Sequence, residues 1–205
     1  MLVYREPYFN YRPLPKRSDL ILEGYFQSSK YFDHRRDEVL DFCYSYYPKI
    51  KDKVYKSENT ISIHIRRSDY LVLQHAHVLQ PISYYKRALE TLSTKLGLSL
   101  EELRIKYELV IFSDDIGWCK EQEIFNNYRC KFMEPLEENV DLNVIIDLYS
   151  MAECEHNIIA NSSFSWWGSY LNRNKEKVII APKNWFASKG PKDWRDIYTS
   201  DMIII

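Results

Sequence analysis

The sequence reads Ile61-Ser62-Ile63-His64-Ile65-Arg66-Arg67-Ser68-Asp69-Tyr70 over its most informative stretch. The alternation of isoleucine with Ser62 and His64 predicts a β-strand that ends where the two arginines begin. Arginine is rarely buried without a partner, and the carboxyl ends of strands in an open α/β sheet face the crevice in which such folds bind ligands. Two adjacent guanidinium groups there can bind a phosphate or pyrophosphate through paired hydrogen bonds. We therefore expect a phosphate-bearing ligand.

Strands and helices are predicted to alternate along the rest of the chain. Strands are expected at residues 60–65, 108–112, 130–133, 156–160 and 178–181, and helices at residues 31–47, 84–96, 116–125, 142–154 and 164–171. Ser83 is the expected N-cap of the second helix, whereas three prolines among residues 1–20 predict an irregular start. The rhythm indicates an α/β fold with a Rossmann-like parallel sheet of about five strands flanked by helices.

Composition excludes several classes of function. The chain has 205 residues, of which 45% are hydrophobic, and its formal net charge is −1, so we expect a packed core and no general affinity for nucleic acid. No apolar stretch approaches the roughly 20 residues that span a bilayer, and the start does not resemble a secretory signal. A cytoplasmic location is the expectation, with peripheral association with a membrane left open.

The cysteines show no pattern of a metal site or of a disulfide framework. Cys43, Cys119, Cys130 and Cys154 form no close pair in the sequence, whereas both kinds of site usually show paired spacings. We expect four separate thiols and no bound metal.

Polar clusters follow three of the predicted strands, at residues 66–69, 113–115 and 161–163. Because parallel strands end at the same edge of a sheet, these clusters are expected to converge. Each cluster also has a purely structural interpretation. Asp114 and Asp115 could be only helix N-caps, and so could Asn161 and Ser162. Their joint placement favours a binding site.

The third cluster opens a helix. Backbone N–H groups at the start of a helix and the positive end of its dipole attract anions. Ser162, Ser163 and Phe164 therefore form a predicted phosphate cradle, without the glycine-rich loop of the common nucleotide-binding folds.

Five stretches of the chain form a recognisable set of motifs. They are His64-Ile65-Arg66-Arg67-Ser68-Asp69-Tyr70, Phe112-Ser113-Asp114-Asp115, Asn161-Ser162-Ser163-Phe164-Ser165-Trp166-Trp167-Gly168, Glu23-Gly24-Tyr25-Phe26-Gln27-Ser28 and Ala181-Pro182-Lys183-Asn184-Trp185-Phe186. Together they resemble the motifs of the α-1,2-fucosyltransferases, glycosyltransferase family 11. The resemblance runs from about residue 23 to the end of the chain, and the run at 161–168 is highly specific.

The resemblance implies an inverting transfer of L-fucose from GDP-fucose to the 2-hydroxyl of a galactoside. The partners would be GDP-fucose and a galactose-containing glycan, and neither a metal nor a cofactor would be required. The implied fold is of the GT-B type. Residues 1–50 would be a remnant of the N-terminal, acceptor-side domain with its connecting helix, and residues 51–205 would be the Rossmann-like domain that binds the GDP-sugar.

The resemblance also assigns roles to residues. Arg66 would contact the β-phosphate and stabilise the departing GDP, with Arg67 assisting, while His64 and Asp69 would shape the arginine loop. Asp147 would contact guanine, whose two N–H donor groups suit the two oxygens of a carboxylate; the alternative is an exposed helix aspartate without a ligand. The remaining residues of the implied donor site are Asp114, Asp115, Asn161, Ser162, Ser163 and Phe164.

The catalytic base is less well defined. An inverting transfer benefits from a base near the acceptor hydroxyl, and His77 stands where many members of the family have a histidine. A histidine with its usual pKa near 6.5 could accept the proton. His75 and Asp69 are alternatives, and His77 could equally be a loop histidine with no catalytic role.

Two features depart from the family pattern. Ser68 replaces a glycine of the arginine loop, at a cost on the order of 1 kcal/mol if that position needs a positive φ. The glycine-rich Gly-Gly-x-Gly-Asn-Gln segment with which family members begin is not present, so we expect part of the acceptor site to be missing. A GDP-sugar-binding module that needs a partner segment and a GDP-fucose hydrolase are the alternative functions.

Overall fold

The computed structural model, which describes residues 2–205, contains two parallel β-sheets. The first is a two-stranded sheet of β1 (Leu2–Arg5) and β2 (Leu20–Glu23). The second has six parallel strands, in the order β5-β4-β3-β6-β7-β8. Its strands are β3 (Thr60–Ile65), β4 (Glu108–Ser113), β5 (Arg129–Phe132), β6 (His156–Ile158), β7 (Ile179–Ala181) and β8 (Met202–Ile204).

Seven α-helices connect and cover the strands of residues 2–205. They are α1 (Arg36–Tyr44), α2 (Ser68–Val72), α3 (Ile82–Lys95), α4 (Leu100–Lys106), α5 (Ile116–Lys120), α6 (Val140–Glu153) and α7 (Ser163–Leu171). Within the described part of the chain, no helix combines the length and the apolar character needed to cross a bilayer. The alternation of parallel strands and helices confirms the predicted Rossmann-like α/β fold.

The order of the strands creates a switch point beside β3. From β3 the chain proceeds outward through β4 to β5, and then returns to place β6 on the other side of β3. Ligands of open α/β sheets bind in the crevice at the carboxyl ends of the strands where the order reverses in this way. The two arginines follow β3 and the Asn161–Ser163 cluster follows β6, so both lie at this crevice.

Each face of the sheet has its own core. Ile61, Ile63 and Ile65 of β3 pack into a cluster with residues of α3 and α4. On the other face, Phe112 of β4 packs with Met151 of α6 and with Phe164 of α7. All six residues of β3 are buried, because a central strand of a parallel sheet is covered by helices on both sides.

Helices α6 and α7 pack against each other at a glycine. A Cβ atom placed on Gly168 would lie 2.9 Å from the Cβ of Met151, which is too close for a real pair of side chains. Glycine at this position lets the two helix backbones approach, and this fixes the N-terminus of α7 relative to α6.

Residues between Phe32 and Ile50 pack against α7. Phe32 stacks on Trp167 with ring centroids 5.4 Å apart, and Ile50 belongs to a buried cluster with Leu171. The prediction of an irregular start was wrong for Leu2–Arg5, which pairs in register with Leu20–Glu23; Met1 lies outside the described residues. The division into domains at residue 50 stays a prediction.

Other elements differ from the sequence prediction in extent. The sixth strand of the sheet, β8, and the helix α4 were not predicted. Helix α3 begins at Ile82 after Pro81, and Ser83 is not its cap. The helix predicted for residues 116–125 ends at Lys120, where the side-chain amide of Gln122 donates to the carbonyl of Trp118 and the chain continues as a 3-10 turn.

The four cysteines are separate thiols, as predicted. Cys119 and Cys154 are buried, and Cys43 and Cys130 are half-buried. Burial raises the pKa of the Cys119 and Cys130 thiols to about 11, so both are protonated at neutral pH.

Candidate functional site

A cavity of about 550 Å³ lies at the carboxyl edge of the large sheet. Three segments line it besides the strand-end clusters: the N-terminal segment through Phe9, Tyr25 and Gln27, the residues after α2, and the loop from Trp185 to Pro191. The predicted site residues that line it are Arg66, Asp69, His77, Asn161, Ser162, Ser163 and Phe164. Two of the three polar clusters therefore meet in one cavity.

Arg66 is the cation of this cavity that follows β3. Its guanidinium pairs with Asp69 at 2.9 Å and with Asp114 at 3.2 Å, and its side chain is 35% exposed. Burial acts to lower the pKa of Arg66, but the hydrogen bond to Asp69 and the charge of Asp114 outweigh it and leave the pKa raised. The arginine is thus permanently charged, oriented by two carboxylates and still open to an anion.

Arg67 points to a different place. Its Nε atom donates to Asp115 at 3.1 Å, and its guanidinium carbon lies 3.6 Å from the ring centroid of Trp118. Asp115 also caps α5 by accepting the N–H of Trp118. Arg67 does not line the cavity with Arg66, so this geometry favours a role in holding the ends of β3 and β4 together. Its predicted assistance to the leaving group stays a prediction.

The N-terminus of α7 is open toward the cavity. Ser162 is the N-cap residue but makes no side-chain cap, and within residues 2–205 no hydrogen bond involves the hydroxyls of Ser162 or Ser163. No group among those residues accepts the backbone N–H of Ser163 or Phe164. Free N–H groups and the positive end of a helix dipole are features that attract anions, and the predicted phosphate cradle at this end stays a prediction.

Asn161 shapes the cavity through its amide. Its Nδ2 atom donates to the backbone carbonyls of Val78 at 3.0 Å and Trp185 at 2.8 Å, and its Oδ1 atom accepts from Gln80 at 3.1 Å. The side chain is 1% exposed. Asn161 therefore ties the two loops of the cavity to the end of β6, and its predicted contact with the donor stays a prediction.

His77 follows α2 in the chain and lines the cavity. Its ring stacks on Tyr70 with centroids 4.5 Å apart and an interplanar angle of 15°, and the hydroxyl of Tyr70 donates to the carbonyl of Asn161 at 2.8 Å. The Nδ1 atom of His77 is buried without a hydrogen-bond partner among the described residues. His77 thus shares a cavity with Arg66, whereas His75 is exposed and does not line it.

His64 is buried beneath the arginine loop. Its ring contacts Phe164 edge-on, with centroids 5.4 Å apart, and its Nδ1 atom has no partner among residues 2–205. Burial lowers the pKa of His64 to about 3, and the charge of Arg66 acts in the same direction. The imidazole is neutral at physiological pH and can act only as a neutral donor or acceptor.

Asp147 is a half-buried carboxylate on α6. It lies one turn before Met151, and Phe164 lies one turn before Gly168 on the neighbouring helix. Met151 faces Gly168, so one turn back along the two packed helices brings Asp147 and Phe164 to a similar height, but Asp147 does not line the 550 Å³ cavity. Within the described residues no hydrogen bond or ion pair engages the carboxylate, and burial raises its pKa to about 7.

Sequence reasoning did not single out Gln27, Phe186 and Lys189, which also line the cavity. Phe186 contacts His77 and packs edge-on against Phe9, with centroids 4.9 Å apart. Gln27 belongs to the motif at residues 23–28 and Phe186 to the motif at residues 181–186. Their placement beside the arginine loop could not be inferred without the fold.

Among residues 2–205 no group of three or more histidine, cysteine, aspartate or glutamate side chains is arranged to hold a metal ion. A second cavity of about 520 Å³ lies among α3, α4 and residues 121–128. It contains none of the predicted site residues.

The parallel sheet flanked by helices, with a cation and an open helix N-terminus at its switch point, is the arrangement of Rossmann-like α/β proteins. The chain belongs to glycosyl transferase family 11, whose sequence profile matches residues 2–205. It is 29% identical over 203 residues to the O-antigen biosynthesis glycosyltransferase WbnK of Escherichia coli, with 89% of this chain and 61% of the relative covered. It is 31% identical over 173 residues to an alpha-1,2-colitosyltransferase of Escherichia coli, with 80% of this chain and 55% of the relative covered. The chain thus spans little more than half of the length of these curated relatives.

Proposed function

We propose that this chain forms the donor-binding part of an inverting α-1,2-fucosyltransferase, which moves L-fucose from GDP-fucose to the 2-hydroxyl of a galactoside. One observation supports this most: Arg66 and the open N-terminus of α7 line a single cavity at the switch point of the sheet. Membership of glycosyl transferase family 11 supports a sugar transfer. The choice of fucose rests on the resemblance of the motifs.

The diphosphate of the donor would lie between Arg66 and α7. The bond between the sugar and the diphosphate breaks as the acceptor oxygen attacks, and negative charge grows on the departing GDP. Arg66 and the N–H groups of Ser163 and Phe164 are already directed at this charge, so they stabilise the transition state without reorganisation. Compensation by a guanidinium and a helix terminus needs no metal.

The guanine base would lie near Phe164 and Asp147. The Asp147 carboxylate has no partner among the described residues and lies at the level of the α7 N-terminus. A carboxylate accepts the N1–H and N2–H₂ groups of guanine, whereas adenine offers an unprotonated N1 in the corresponding place. An unpaired, half-buried carboxylate is costly to ionise, and a guanine bound to it would offset this cost.

The acceptor hydroxyl would lose its proton to His77 or to Asp69. Both residues line the cavity with Arg66. Asp69 is already engaged in an ion pair with Arg66 at 2.9 Å, whereas the Nδ1 atom of His77 has no hydrogen-bond partner among residues 2–205. His77 is the better candidate on this comparison.

The alternative function is a GDP-sugar-binding module without catalysis, because Arg66 and the start of α7 account for binding of the donor alone. Because one relative is a colitosyltransferase, the sugar of the donor also has to be tested. Colitose is 3-deoxy-L-fucose, so GDP-colitose is the donor to compare with GDP-fucose.

The test is a transfer assay with GDP-fucose or GDP-colitose and a β-galactoside acceptor, followed by NMR of the product. The proposal expects fucosylation at the 2-hydroxyl with the α configuration. Transfer from GDP-colitose alone would overturn the choice of sugar. Binding of GDP-fucose without transfer or hydrolysis would leave the binding module, and release of free fucose without transfer would indicate a hydrolase.

A further inference from the structure

The segment after β2 makes a constrained turn beside the cavity. Phe26 has a φ of 46°, a left-handed conformation that residues with a side chain rarely adopt. One carboxylate oxygen of Glu6 accepts the backbone N–H groups of Tyr25 at 2.8 Å and Phe26 at 3.1 Å. A Cβ atom on Gly24 would lie 2.4 Å from the Cβ of Glu6, so only glycine fits there. Strain of this kind persists where the surrounding structure enforces it, and it concentrates at functional sites.

The turn presents Gln27 to the cavity. Gln27 is half-buried and lines both the 550 Å³ cavity and a neighbouring cavity of about 440 Å³. The same two cavities share Ser163 and Phe164 at the start of α7. Gln27 thus stands where the N-terminal segment meets the anion site. Within residues 2–205 no hydrogen bond involves its side-chain amide.

The free amide suits a neutral, hydroxyl-rich ligand. It offers two N–H donors and one carbonyl acceptor, which match the hydroxyl groups of a sugar ring and add no charge. A glycosyl diphosphate held by Arg66 and α7 carries such a ring next to its phosphates. Tyr25, which is 78% exposed at the same cavity, adds an aromatic face beside it.

From this geometry we infer that Gln27 binds hydroxyl groups of the sugar carried by the nucleotide donor, and that the turn capped by Glu6 positions it. The inference rests on the proposed function, because it requires a nucleotide-sugar in the cavity. Gln27 is the binding residue, and Glu6 acts only through the turn. GDP lacks the fucosyl ring beyond its diphosphate, so it leaves the amide of Gln27 without this ligand.

The test is calorimetric titration of the protein with GDP and with GDP-L-fucose. The quantity of interest is the Kd for GDP-fucose divided by the Kd for GDP. In Gln27→Ala this ratio is expected to rise about five- to twentyfold, as for the loss of one or two hydrogen bonds to a neutral ligand, while the Kd for GDP stays unchanged. Asn126→Ala removes an exposed amide that precedes β5 and so lies near the amino ends of the strands, away from the cavity. This variant is the control that leaves the ratio as in wild type.

The Glu6 variants test the positioning role. Glu6→Ala is expected to raise the same ratio, and Glu6→Gln, which keeps an oxygen to accept the two N–H groups, is expected to restore it. An unchanged ratio in Gln27→Ala would overturn the inference, and so would an equal loss of affinity for GDP and GDP-fucose. A raised KM for the acceptor alone would place Gln27 at the acceptor. If the wild-type protein binds neither nucleotide, the proposed function fails and the inference falls with it.

Discussion

The guanidinium of Arg66 is bound to the carboxylate of Asp114, with Nη1 and Oδ2 3.2 Å apart. This contact joins the ends of β3 and β4, and Asp114 reinforces it by accepting the backbone N–H of Arg67 at 2.9 Å. The cation is therefore oriented by the fold before any anion binds. A phosphate that enters the cavity meets an arginine that needs little rearrangement.

Replacement of Arg66 removes the principal side-chain cation of the proposed diphosphate site. Arg66→Ala is expected to lower kcat by about 10² to 10³, as for the loss of one donor to a developing negative charge, and to weaken GDP binding. The melting temperature is expected to change little, since the side chain is partly exposed. Steady-state kinetics and calorimetry measure these effects, with the exposed Arg87→Ala on α3 as the control. Turnover at the wild-type rate in Arg66→Ala would refute the phosphate role.

The affinity for GDP is expected to depend on the charge of Asp147. Burial raises the pKa of this carboxylate to about 7 in the free protein, and guanine binds only to the ionised form. Protonation therefore competes with GDP as the pH falls through 7, and the Kd is expected to be about tenfold higher at pH 6 than at pH 8. GDP itself also titrates in this range, so Asp147→Asn is the necessary comparison. The variant is expected to lose this part of the pH dependence and the preference for GDP over ADP. Identical pH profiles in the two proteins would move the guanine contact elsewhere.

Asn161 is expected to matter for stability as well as for the site. Asn161→Ala leaves the carbonyls of Val78 and Trp185 without their donor, and the free energy of unfolding is expected to fall by about 2–4 kcal/mol. Urea denaturation measures the change. The same substitution at the exposed Asn126 is expected to change it by less than about 0.5 kcal/mol. An equally small effect at Asn161 would show that these hydrogen bonds do not hold the two loops.

Two glycines provide a matched test of helix packing. Gly168→Ala places a Cβ atom 2.9 Å from the Cβ of Met151, and the resulting overpacking is expected to cost about 1–3 kcal/mol of unfolding free energy. Gly117 in α5 has no atom within 4 Å of a Cβ, so Gly117→Ala is expected to stabilise the protein by up to about 1 kcal/mol through helix propensity. Thermal denaturation of both variants compares them. Stabilisation by Gly168→Ala would mean that α6 and α7 can move apart freely.

The sequence was sufficient to predict the central sheet because its strands have clear boundaries. Residues 60–65 alternate isoleucine with Thr60, Ser62 and His64 until the arginines begin, and this alternation marks a strand although all six residues are buried. Helix α4 was missed although Ser99 and Glu102 form a capping box, a signal that the sequence contains. Strand β8 is three residues long; β6 and β7 are equally short, but each follows a predicted helix, whereas only a 3-10 turn precedes β8.

The candidate site was predictable only where it follows from topology. Strand ends of a parallel sheet share one edge, so the convergence of the clusters after β3 and β6 could be expected. The different directions of Arg66 and Arg67 could not, because they depend on Trp118, which follows β4 and lies 3.6 Å from the Arg67 guanidinium. The approach of Gln27 from the N-terminal segment depends on a turn with a positive φ at Phe26. No local sequence pattern predicts a positive φ at a phenylalanine.

The most direct test of the donor site is calorimetric titration of this chain with GDP and with ADP in the presence of a chelator. A diphosphate bound by Arg66 and α7, and a guanine read by Asp147, predict micromolar binding of GDP and binding of ADP that is weaker by about tenfold or more. Equal affinity for the two nucleotides would contradict the guanine contact. The absence of any binding of GDP would contradict the donor site itself.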